Sequence, residues 1–219
     1  MFVMTIDQRG SRTVGDRVPE LLATLRGIRT VLPFERSVGD EVQGLLDSPA
    51  EVVEAALRAL RAGGWYVGIG IGSVERPLPS SPREAAGPAL VQARLAVDRA
   101  KRTGERVALA VEYDGGPGLP GEGAAAASAA EAVLVLVGDL VRHRSAAEWR
   151  VLDALTEPGP RRQVDVAQSL GVTPQAVSQA ILRSGRQEEQ RGRDAAELLL
   201  TLAGRAVDGE PVPRVSGRG

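Results

Sequence analysis

The chain has 219 residues, of which 43% are apolar and 25% charged, and its 27 basic side chains almost cancel 28 acidic ones to leave a net charge of -1. That balance excludes wholesale disorder and a generally basic, DNA-coating protein, so any nucleic-acid contact must come from a local basic surface and be salt-sensitive. The absence of cysteine and the single His143 exclude disulfides, thiol catalysis, thiolate metal sites and a histidine metal cluster.

Phe2 to Ile6 reads as a first strand ending at the carboxylate of Asp7, followed by the polar loop Gln8 to Ser11. Pro19 opens a helix with Leu21, Leu22, Leu25 and Ile28 on one face, running to about Thr30. Phe34 to Val38 and Val42 to Leu46 flank Gly39 and Asp40, a pair suited to a tight hairpin turn with Asp40 at the tip, and Glu35 and Glu41 read as solvated hairpin charges. Ser48, Pro49 and Glu51 form a helix start, with a capping hydroxyl, a first-turn proline and a carboxylate three residues after the cap. Val52, Val53, Ala56, Leu57 and Leu60 define the buried face of that helix, which Gly63 and Gly64 stop. Trp65 to Val74 reads as a strand whose glycines at 68, 70 and 72 imply close backbone packing or a ligand approach. A Pro/Ser loop leads to a helix over Ala89 to Arg102 and a strand over Arg106 to Glu112.

The order βαββαβ followed by αβ fits a ferredoxin-like split βαβ arrangement, in which the end of strand one meets the hairpin and Asp7 neighbours Asp40. The expected division is an α+β ferredoxin-like domain over residues 1–113, a Gly/Pro linker over 114–123, an all-α helix-turn-helix domain over 124–204 and a flexible tail over 205–219. Helices are expected from Ala129 to His143, from Ala146 to Leu155, in two short segments around Gly171, and from about Gln187 to Ala203.

The strongest local pattern is QVDVAQSLGVTPQAVSQAIL, from Gln163 to Leu182. Val166, Leu170, Val172 and Val177 are buried-type residues at the spacing of two crossing helices, Ala167 is small at their contact, Gly171 suits a left-handed turn, and Thr173 with Pro174 starts the second helix. The segment resembles the helix-turn-helix of bacterial transcription factors and sigma factors, with Ala, Gly and Val at that family's fifth, ninth and fifteenth places. On that resemblance Thr173, Gln175, Ser178, Gln179 and Arg183 project toward a major groove, while Val177, Ala180 and Ile181 turn inward. Arg161, Arg162, Arg183 and Arg186 are candidates to neutralise phosphate. From Arg142 to Arg193, nine Arg against six acidic residues leave a local excess of +3. A protein-binding trihelical module is the competing reading of the same pattern.

Asp7 in TIDQRGS and Asp40 in SVGDEVQGLLDSPAEVVEAAL resemble the two metal-binding strands of class III nucleotidyl cyclases, and the likeness continues through the Asp-Ser-Pro-Ala-Glu helix start and VGIGIGSVE. The GDEVQ hairpin and strand-end Asp make residues 1–112 closely similar to the SatD family of small bacterial proteins. The RAKRTGERV segment resembles the AKxxG ending of diguanylate cyclase (GGDEF) domains, which implies a nucleotide-phosphate contact for Lys101. For Asp7 and Asp40 the resemblance implies shared ligation of Mg2+, the chemistry being two ions about 3.5 to 4 Å apart that bridge carboxylates and substrate phosphates. The Asn-x-x-x-Arg pair of cyclases is not matched, since Leu90 stands four residues before Arg94, and Glu105 replaces a phosphate-binding Arg. Losing that charge stabilisation weakens an enzymatic reading more than a binding one.

The longest apolar run, Ala132 to Val137, is far shorter than the roughly 20 residues needed to cross a bilayer, and the N-terminus lacks a secretory pattern, so a cytoplasmic protein without membrane contact is expected. The leading expectation is a DNA-binding transcriptional regulator, a homodimer on double-stranded DNA, whose cyclase-like domain senses a nucleotide effector or dimerises. The alternatives are a Mg-dependent nucleotide-binding or cyclase-like enzyme with a helical partner-binding domain, and an interaction scaffold with neither activity.

Overall fold

A computed structural model describes residues 1–102, 107–116, 121–157 and 162–209. The chain is α+β, built on one five-stranded mixed sheet. Its strands are β1 (Phe2–Gln8), β2 (Leu32–Arg36), β3 (Glu41–Leu46), β4 (Trp65–Ile71) and β5 (Leu109–Tyr113), in the order β2-β3-β1-β4-β5. β1 pairs antiparallel with both β3 and β4, while β5 joins β4 in parallel.

The helices described are α1 (Ser11–Val14), α2 (Val18–Thr24), α3 (Pro49–Ala62), α4 (Pro88–Ala100), α5 (Gly121–His143), α6 (Ala146–Thr156), α7 (Gln163–Leu170), α8 (Pro174–Arg183) and α9 (Arg186–Val207). The first strand runs two residues past Ile6, because Gln8 is buried and its side chain both donates to the Gly15 carbonyl and accepts from the Arg17 amide, tying down the loop that follows. The short α1 in that loop carries no buried residue, so no apolar period announces it. α2 stops at Thr24, short of the expected Thr30.

Strand alternation assigns the two faces of the sheet. Phe2, Met4, Ile6, Val67, Ile69, Ile71, Leu109 and Val111 belong to the main core with α2, α3, α5 and α9. α3 starts as the sequence predicts, with the Ser48 side chain accepting from the Glu51 amide, and each of its buried Val52, Val53, Leu57 and Leu60 side chains contributes about 1.5–3 kcal/mol of apolar burial. On the opposite face Val3, Leu45 and Ala110 meet α4 through Ala89, Ala93, Ala96 and Ala100. Gly68 and Gly70 bring the α4 backbone directly onto β4; a methyl group at Gly70 would overlap the Ala89 carbonyl oxygen and the Ala93 nitrogen. Of the two roles open to these glycines, close packing is therefore the one the structure uses.

β3, β4 and β5 all run the same way, and the β3–β4 and β4–β5 connections step in the same direction across the sheet. Their helices α3 and α4 nevertheless lie on opposite faces, so the two crossovers have opposite hands and one departs from the right-handed rule.

The main core does not stop at residue 113. Ala126, Ala127, Ala130, Leu134, Val137 and Val141 of α5, with Ala196, Leu200 and Ala203 of α9, are buried in the same cluster as β1 and α3. The expected boundary between residues 113 and 124 thus joins elements of one core, Gly121 to Gly123 are the first turn of α5 rather than linker, and Arg205 to Val207 continue α9 rather than begin a tail. α5, at 23 residues and with a mean hydropathy of 1.8 over its most apolar 18 residues, is long and apolar enough to cross a membrane by length and composition, although no unbroken apolar run of that length occurs in it. Its eight buried residues lie against the sheet, α3 and α9, the position of a core helix.

Candidate functional site

The sheet rim holds the first candidate. Asp7 stands directly across from Glu41 on β3 and from Tyr66 on β4. The predicted convergence of strand one with the hairpin is present, but the side chain opposite Asp7 is Glu41, and Asp40 sits one residue earlier in the turn. Lys101 follows α4 and reaches back to Asp7, with Nζ 2.9 Å from Oδ2 and 3.7 Å from Asp98. Arg94 bridges Glu41 at 2.6 Å and Asp98 at 3.7 Å.

Glu41 is buried, a correction to its expected place in solvent. That burial pushes its carboxyl above the ordinary value, with Asp7 adding to the rise and Arg94 opposing it. Burial alone would lower the Lys101 ammonium, but Asp7 and Asp98 overcome it and hold the group above its usual value. Glu35 likewise accepts a hydrogen bond from Ser81 rather than facing water alone.

In this arrangement the rim carboxylates already carry cationic partners. Lys101 occupies Asp7, Arg94 occupies Glu41, and among the described residues no group of three or more His, Cys, Asp or Glu side chains could hold a metal ion. Two-metal chemistry needs several oxygen ligands converging on one space. What the rim does supply is a hydrogen-bonded charge lattice that fixes α4 against β1 and β3. Arg94, Glu41 and Asp98 were missed as members of the charge network around Asp7 and Lys101; the register opposite Asp7 and the spacing of residues 94, 98 and 101 on successive helical turns are the signals that could have found them.

The second candidate is the trihelical unit of α6, α7 and α8. Val151, Ala154, Val166, Ala167, Val177 and Ala180 form its own small core, with Leu155, Leu170 and Ile181 packed against it. Gly171 takes the left-handed conformation at φ 65°, and the Thr173 side chain caps α8 by accepting from the Ala176 amide at 3.1 Å. Thr173, Gln175, Ser178, Gln179 and Arg183 are all exposed, whereas Val177, Ala180 and Ser184 are buried, so the two sets occupy opposite sides of α8. Leu182, 74% exposed, shares the outward face.

Arg162 is exposed, and its guanidinium lies 3.4 Å from Asp165, which also accepts from the Arg162 amide. Arg161 and Glu105 lie outside the described residues. The segment after α8 is helix, not a wing: Gly185 turns the chain at φ 61° into α9, which returns along α5 to the main core. Trp149 of α6 anchors the unit, with the Arg61 guanidinium 3.7 Å and the Arg144 guanidinium 4.8 Å from its ring centre. An Arg61–Asp153 ion pair at 2.6 Å ties α3 to α6.

Comparison with protein-family models, with curated proteins and with solved structures finds no match.

Proposed function

We propose that the chain is a DNA-binding transcriptional regulator that reads double-stranded DNA through α8. The observation that carries this reading is the segregation of α8, whose apolar residues fill the trihelical core and whose Gln175, Ser178, Gln179 and Arg183 are exposed on the other side. Glutamine can pair bidentately with adenine, Ser178 and Thr173 can contact a base or a phosphate, and the exposed Leu182 can meet a thymine methyl. Arg162 and Arg183 are placed for phosphate, and Arg162 must exchange Asp165 for it.

The sheet-bearing part is read as a ferredoxin-like, nucleotidyl cyclase-like and SatD-like unit that senses a ligand or dimerises the reader. The order β2-β3-β1-β4 with α2 and α3 on one face supports this, and β5 is an addition to it. On this reading the protein is a cytoplasmic homodimer whose two recognition helices would lie about 34 Å apart, one DNA turn. The Mg-dependent enzyme reading gains no support at the rim, where Lys101 and Arg94 already pair the carboxylates.

The test is selection of bound sequences from a random duplex pool, followed by gel retardation. Wild type is expected to enrich one motif, and Gln175→Ala with Gln179→Ala to lose that selectivity while keeping the wild-type melting curve, since both side chains are exposed. Unchanged selectivity in the double variant, or no retained duplex at low salt, overturns the reading.

A further inference from the structure

A cleft of about 780 Å³ separates the reader from the main core. Its walls come from α3, the end of α5, α6 and the start of α9, so it touches every element that joins the two parts. Five arginines line it, Arg58, Arg61, Arg144, Arg186 and Arg193, against the three carboxylates Glu54, Asp153 and Glu189, an excess of two positive charges. Arg58 and Arg193 are engaged by Glu54, Arg193 also by Glu189, and Arg61 by Asp153. Arg186 enters no ion pair among the described residues.

Arg144 is the unusual member. Its side chain is 1% exposed, and its Nε donates to the carbonyl of Ser184, the residue that ends α8, at 2.7 Å. Its Nη1 touches Glu189 at 2.6 Å without hydrogen-bond alignment, and its Nη2 has no hydrogen-bond partner. A buried guanidinium with unused donors is costly, and the group that would satisfy it is an anion. A planar fork beside a cationic excess of two matches a phosphate dianion, and the space greatly exceeds the volume of phosphate alone.

We propose that this cleft binds a phosphorylated small molecule whose phosphate is held by Arg186 and by the Nη2 edge of Arg144, which binding must uncover. Because Arg144 also holds the end of α8, the occupied cleft is the effector site of the regulator. That last step rests on the DNA-reading proposal; the binding itself does not.

The test uses the full chain without DNA. Adenosine 5′-monophosphate, pyrophosphate and citrate are titrated separately by calorimetry, with Trp fluorescence as a second readout. Saturable binding of the nucleotide with half-saturation below about 1 mM, a fluorescence change, and weaker binding of citrate are expected. Exposed Arg186→Gln is expected to weaken nucleotide binding about tenfold with unchanged melting, which keeps the test decisive even where buried Arg144→Gln fails to fold. No saturable heat, equal affinity for citrate, or full affinity in Arg186→Gln overturns the site. Gel retardation is then repeated with the nucleotide: intact ligand binding without any retained DNA refutes the reader, whereas retained DNA without ligand heat refutes the cleft.

Discussion

Lys101 Nζ lies 2.9 Å from Asp7 Oδ2, so the two residues whose sequence context implied separate contacts to a phosphate and a metal ion neutralise each other. A divalent cation at Asp7 would have to displace this ammonium, and a phosphate at Lys101 would have to displace the carboxylate. The rim is thereby a structural clamp between β1 and the end of α4.

Lys101→Met is expected to cost about 1 kcal/mol in urea unfolding at pH 7, the scale of a partly exposed ion pair. The folded chain holds the ammonium above its ordinary value of 10.5, so the stabilisation is complete below that pH and is lost as pH rises through the folded value. A wild-type advantage that persists undiminished at high pH would contradict the pairing. Magnesium titration of wild type is expected to give no saturable heat.

Glu41 is buried and Glu54 half-buried, and both are paired to arginine, yet they titrate in opposite directions. At Glu41 burial prevails over Arg94; at Glu54 burial pushes upward but hydrogen bonds from Arg193 and Arg58 prevail and hold the carboxyl below its ordinary 4.5. Glu54→Gln should therefore cost about 1–2 kcal/mol at pH 7, a loss that vanishes as pH falls through the depressed folded value.

Glu41→Gln should do the reverse. A raised folded pKa means that stability falls as pH rises from the unfolded value near 4.5 through the folded one, so the amide is expected to be the more stable side chain at pH 7 and to lose that advantage in acid. Parallel urea titrations at pH 3, 5 and 7 separate the two carboxylates by the sign of the difference.

Gly70→Ala is expected to destabilise by about 3 kcal/mol or to prevent soluble expression, because the new methyl meets α4 backbone that cannot move aside. Gly68→Ala should behave alike, since its methyl would meet the Val97 nitrogen. Thermal melting of both variants checks this, and near-wild-type stability in either would show that α4 is not seated on β4.

Arg183→Gln is expected to weaken DNA retention uniformly across sequences and to lower the salt dependence of the binding constant by about one unit of slope. Retardation across a salt series measures it. A change confined to one base position would instead make Arg183 a base reader.

Much of the architecture was legible because it is local. Ser48, Pro49 and Glu51 encode a helix start within four residues, and Thr173 and Gly171 encode the α7–α8 turn in the same way, through backbone groups that a neighbouring side chain must satisfy. The β1–β3 adjacency was legible from element order, since few topologies are open to a βαββαβ chain.

What the amino-acid order alone determined is where α3 and α8 begin, which face of each is apolar and that α8 has an outward polar side. Tertiary packing alone decided that α5 and α9 cross the apparent linker to complete the sheet's core, that Lys101 is spent on Asp7, and that Arg144 is buried beside a cleft with donors to spare. The reason is one of range: caps and periodicities are settled within a helical turn, whereas burial and charge pairing depend on which distant surfaces exclude water together.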